Sequence, residues 1–150
     1  MGLQHAFGGP LLFIHTLSEA IWAAYLAVIC IYALWRGGRP ERTAAIAFIL
    51  AWVATNLLED RQNWLDPQWG ILVVDGLLLA TLLWLALTAD RSWTLWSAAF
   101  QLLGVVTHGA MMADRSVGSW AYITGDIIFS YLVVAALAVG TWLHGRASTA

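Results

Sequence analysis

The stretch GILVVDGLLLATLLWLALT, Gly70 to Thr88, carries one charged residue, Asp75, in an otherwise apolar run. It shows no alternation of apolar and polar positions, which excludes a half-buried strand. Its length matches the roughly 20 residues a helix needs to cross about 30 Å of hydrocarbon. Backbone N–H and C=O groups in lipid must be satisfied within the segment, so a single isolated run of this kind folds as a helix. Four comparable runs flank it, and that repetition sets the fold class.

The runs are expected at about 11–35, 43–58, 68–88, 93–112 and 120–142. Pro10 suits a helix start before the first. RGGRPER breaks the chain after it, EDRQNWLDPQW follows the second, and GRASTA closes the sequence. The second run is short, and at about 1.5 Å per residue its apolar positions reach only about 24 Å. The expectation is an all-α integral membrane protein, a bundle of about five transmembrane helices forming one domain over residues 1–150. The N-terminus lacks a positive region ahead of its apolar run, so that run reads as a retained span rather than a signal peptide.

Composition agrees. Hydrophobic residues make up 61% of the chain and charged residues 11%, against about half and a quarter in soluble domains. No basic patch suggests nucleic acid. The single cysteine, Cys30, excludes an intrachain disulfide and a thiolate metal cluster and reads as a small buried apolar residue. All seven basic residues are arginine, which together with abundant Ala, Leu, Gly and Trp suggests a GC-rich bacterial genome. With five spans, Arg36, Arg39, Arg42, Arg91 and Arg146 share one side, and Arg61 and Arg115 the other. This bias predicts a bacterial inner-membrane protein with its N-terminus outside and its C-terminus cytoplasmic.

Tryptophans 35, 64, 69, 93, 96, 120 and 142 fall near expected helix ends, where aromatic belts form. Trp22, Trp52 and Trp84 fall deeper, where they pack between helices or against lipid or pigment. The tetrapeptide ADRS recurs at 89–92 and 113–116 and reads as two tight polar turns with Asp and Ser available as caps.

The ionisable residues inside the runs are unevenly placed. His15 is roughly 6 Å and Glu19 roughly 12 Å into the first helix, and Asp75 roughly 10 Å into the third. His108 is roughly 6 Å from the end of the fourth and Asp126 roughly 9 Å into the fifth. All fall in the outer half, on four helices, at similar depth. Charges inside a bilayer usually face a bundle interior or a watery cavity, so one polar pocket is expected. His15 and Glu19, at i and i+4, share a helix face. Gly76 beside Asp75 and Gly125 beside Asp126 are expected to let the helices approach. Helix dipoles and interfacial hydration supply the plainer explanation of each residue alone.

Three function classes follow. The favoured one is non-catalytic: an accessory or binding subunit, with the lipid bilayer and other membrane protein subunits as its partners. The second is a metal-dependent, hydrolase-like membrane enzyme or a proton-coupled carrier, with His15, Glu19, Asp75, His108 and Asp126 as ligands for a divalent metal or as proton carriers. The third is haem or pigment binding through His15 and His108, with Trp22 and Phe100 lining the slot. In length, span number and tryptophan content the chain resembles the tryptophan-rich sensory protein family, which binds porphyrins and sterols. That family's Pro-Tyr-centred stretch and Trp-x-Pro-Pro loop are absent here, so no residues are carried over.

Overall fold

The computed structural model describes residues 17–58, 69–113 and 119–147, which form five α-helices. They are α1 (Leu17–Arg36), α2 (Arg39–Leu58), α3 (Trp69–Thr88), α4 (Ser92–Ala113) and α5 (Ser119–Ala147). Each helix packs on its neighbours in sequence, and α5 closes the ring on α1, with a further contact from α5 to α2. Alternating direction along an odd number of helices makes α1 and α5 parallel.

Among the described residues, four helical segments are long and apolar enough to cross a membrane: Leu17–Arg36, Arg39–Leu58, Trp69–Thr88 and the Thr124–Ala147 part of α5. α4 differs from the others in carrying a polar stripe. Thr94, Ser97 and Gln101 are buried within the bundle. With His108 they recur at helical spacing and form one polar stripe, while Leu95, Leu102 and Val106 face outward. The bundle is therefore apolar outside and partly polar inside. Cohesion in such a bundle comes from packing and interhelical hydrogen bonds rather than from hiding more apolar surface.

The second helix begins four residues earlier than the sequence reading placed it. It spans 20 residues, about 30 Å at 1.5 Å per residue. Only Gly37 and Gly38 separate it from α1. Pro40 falls in its first turn, where a missing N–H costs nothing. A Cβ at Gly37 would lie 2.4 Å from the Ala33 carbonyl oxygen and 2.6 Å from Cβ of Glu41, so only glycine fits this turn. Below it Cys30, Ala33, Ala44 and Ala45 are fully buried, small residues that let α1 and α2 pack closely. Cys30 takes the buried apolar role expected of it.

The first ADRS copy is the tight turn expected. Asp90 adopts a positive φ of 47°, a conformation Asp tolerates better than most residues. The second copy falls almost entirely outside the described residues. Trp35, Trp69, Trp96 and Trp142 are exposed near helix ends, as an aromatic belt requires. Trp93 departs from that expectation. It is only 4% exposed and packs face-on over Gly140 of α5, where an added Cβ would lie 2.3 Å from the indole. Trp22 packs between helices, edge-on to Tyr131, whereas Trp84 faces outward.

Candidate functional site

Three of the residues singled out in the sequence meet on three helices. Nε2 of His108 on α4 lies 3.1 Å from Oδ2 of Asp75 on α3 and 3.4 Å from Oδ1 of Asp126 on α5. Gln101, one helical repeat deeper on α4, donates its amide N–H to Oδ1 of Asp75 at 3.3 Å. The α4 stripe thus ties its two neighbours together. Ser97 continues the pattern by donating to the Val133 carbonyl of α5 at 3.3 Å. Interhelical hydrogen bonds of this kind average about 0.6 kcal/mol in membrane bundles and reach about 1.7.

The cluster lies toward the end of the bundle opposite Arg36, Arg39, Arg42 and Arg91. Burial grades across it: the side chains of His108, Asp75 and Asp126 are 15%, 21% and 38% exposed. Asp126 is therefore the face turned to the surroundings, and Gln101 the face turned to the core. With a proton on Nε2, the imidazole donates to both carboxylates at once and separates two like charges.

Glu19 is half-buried in the first turn of α1. The Tyr25 hydroxyl donates to the Tyr131 carbonyl at 3.1 Å and sets the register of α1 against α5. Six residues above Tyr25 and five above Tyr131, Glu19 and Asp126 stand about 9 and 7.5 Å up their helices, at similar height. Among the described residues α1 packs on α2 and α5, and Trp22, three residues on from Glu19, packs against Tyr131 of α5. His15 lies outside the described residues. The glycines expected to draw the helices together do not do so. A Cβ at Gly76 would meet open space, and one at Gly125 only ordinary contact with Thr107 and Phe129. The tightest approaches are at Gly37 and Gly140 instead, followed by Gly38 and Gly70.

The metal and haem readings both need Nε2 or Nδ1 of His108 to face a ligand. In this arrangement Nε2 faces the two carboxylates. Among the described residues, no group of three or more His, Cys, Asp or Glu is placed to hold a metal ion.

A second polar cluster, at the arginine-bearing end, escaped the sequence reading. Glu41 is fully buried. Its Oε1 accepts the indole N–H of Trp93 at 2.9 Å, and its Oε2 accepts the backbone N–H of Gly38 at 2.9 Å. Beside it an Arg91 guanidinium N–H donates to Nδ1 of His144 at 3.2 Å. The Arg42 Nε–H donates to the Gly37 carbonyl at 3.0 Å. The Trp93–Glu41 bond ties the α1–α2 turn to α4, the Gly38 and Arg42 bonds close that turn on itself, and the Arg91–His144 bond ties the α3–α4 turn to α5, which marks the cluster as a structural lock.

No protein-family model, no curated protein and no solved structure matches the chain.

Proposed function

We propose that the chain is an integral membrane protein of five spanning helices and serves as a small accessory or binding subunit of a larger membrane assembly. The proposal seats it in a bacterial inner membrane, N-terminus outside and C-terminus cytoplasmic. The apolar exterior and the gathering of arginines at one end support this placement. One observation carries the binding role. The His108 ring is already paired with Asp75 and Asp126, yet Asp126 stays 38% exposed at the rim. Such a site holds its shape without a ligand and still offers a carboxylate to a donor or cation on a partner.

The test is copurification of the tagged full chain from its native membranes in a gentle detergent. A stoichiometric membrane partner, held by wild type and lost or weakened about tenfold by Asp126→Asn, is the expected result. A chain that runs alone, or a partner indifferent to Asp126, overturns the proposal.

The same geometry favours a second reading, a proton-coupled carrier, because one imidazole nitrogen lies within reach of two carboxylates. Reconstituted vesicles containing a pH dye decide it: His108-dependent proton movement is expected, and proton movement unchanged in His108→Ala rules it out.

A further inference from the structure

At the arginine-bearing end, side chains of α1 and α5 border an open cavity of about 170 Å³ lined by Tyr32, Arg36, Trp142, Gly145 and Arg146. Among the described residues the lining contains two guanidinium groups, a phenol and an indole, and no acidic side chain. Gly145 borders open space, since a Cβ there would meet nothing within 4 Å. The Arg146 guanidinium stacks 4.0 Å from the Trp142 ring, which orients its planar fork. The Arg36 guanidinium lies 5.9 Å from the ring of Trp35, itself 77% exposed.

Around and beyond the cavity α1 and α5 carry exposed apolar side chains. Val28, Ile31 and Trp35 on α1 and Val139, Trp142 and Leu143 on α5 are all exposed, Trp35 and Leu143 at the level of the cavity and Val28 and Val139 one to two turns further along the bundle. The site therefore sets a cationic, hydrogen-bonding head end above a greasy flank. Guanidinium forks match phosphate oxygens, two N–H groups to two oxygens. Tyr and Trp favour the depth of lipid headgroups, and basic pockets between helices on the cytoplasmic side take phospholipid heads.

We propose that the α1–α5 cavity binds the phosphate headgroup of an anionic phospholipid, with Arg36 and Arg146 clasping the phosphate and the acyl chains lying along the exposed flank below. The inference rests on the membrane placement proposed above, but not on the accessory-subunit role.

Native mass spectrometry of the full chain in a neutral detergent tests it, with phosphatidylglycerol and phosphatidylcholine as probes. Wild type is expected to retain phosphatidylglycerol about tenfold better than phosphatidylcholine. Arg36→Gln with Arg146→Gln is expected to abolish that preference. Arg39→Gln removes one charge, as Arg36→Gln alone does, from an exposed site at the same end outside the lining and is expected to keep the preference that Arg36→Gln alone weakens. Should the double Gln variant fold poorly, Arg36→Lys with Arg146→Lys keeps both charges but loses the forks, and a reduced preference is expected there. Equal preference in wild type and the Lys pair, or an equal loss in Arg39→Gln and Arg36→Gln, overturns the inference. Displacement of phosphatidylglycerol by excess inorganic phosphate also overturns it, since the site would then take a free anion. Carbonate extraction separates the two failures: release of the chain sinks the membrane placement and this inference together, whereas retention with undiscriminating lipid binding sinks the inference alone.

Discussion

The indole N–H of Trp93 donates to Oε1 of Glu41 at 2.9 Å, joining α4 to the first turn of α2 in a region closed to solvent. The other carboxylate oxygen holds the Gly38 N–H at 2.9 Å. Two donors thus depend on one buried carboxylate. A glutamine offers one oxygen and one NH2 group, so Glu41→Gln leaves one of those donors facing another donor. The expected loss is about 1–3 kcal/mol, the cost of an unsatisfied buried polar group. Trp93→Phe orphans the carboxylate oxygen and is expected to cost a similar amount. Reversible unfolding in mixed micelles, followed by circular dichroism, measures both; stability unchanged in both variants would mean the lock does not hold the helices together.

Glycine substitutions should divide sharply by position. At Gly140 a methyl group would lie 2.3 Å from Cγ of Trp93 and 2.4 and 2.6 Å from the two neighbouring ring atoms. Gly140→Ala is therefore expected to destabilise by about 1–3 kcal/mol through overpacking. At Gly76 the added methyl meets open space. Gly76→Ala is expected to be neutral or to stabilise by up to about 1 kcal/mol through helix propensity. The same unfolding assay ranks the pair, and the reverse order would contradict the packing of α4 against α5.

The proposed orientation has its own test. Cys30 is fully buried, so the native chain should react slowly with a membrane-impermeant maleimide and give little background. Gly109→Cys lies at the exposed end near His108, and Arg39→Cys at the exposed opposite end. In intact spheroplasts, labelling is expected at position 109 alone. Position 39 should label only after permeabilisation. The opposite pattern would invert the orientation.

Much of this architecture was legible in the chain. Apolar runs such as Gly70–Thr88 specify helices by length alone, and the shared depth of Asp75, His108 and Asp126 anticipated their meeting. The lock was not legible for a physical reason. RGGRPER contains two glycines and a proline, and reads as a loop that strands Glu41 outside the bundle. In the structure Gly37 and Gly38 are the whole turn, and Pro40 and Glu41 form the first turn of α2. Proline in a first turn with an acidic residue beside it is itself a helix-start signal. Trp93 was missed for a related reason. Position near a helix end does not determine which side of the helix a residue occupies, and the polar stripe of α4 turns that side inward. Glycine beside Asp75 and Asp126 suggested close helix approach, but close approach follows the partner's bulk, which sits at Trp93 over Gly140.

The polar centre stands or falls on whether His108 and Asp75, 3.1 Å apart on adjacent helices, act as one unit. A double-mutant cycle with His108→Ala and Asp75→Ala, read by reversible unfolding, measures their coupling directly. A coupling of about 0.5–3 kcal/mol is expected, the range for residues in one hydrogen-bonded network. The same cycle against Asp126 should give less, because that contact is 3.4 Å long and more exposed. Single-variant effects for His108 and Asp75 that add to within about 0.3–0.5 kcal/mol, as independent sites do, would contradict a shared site.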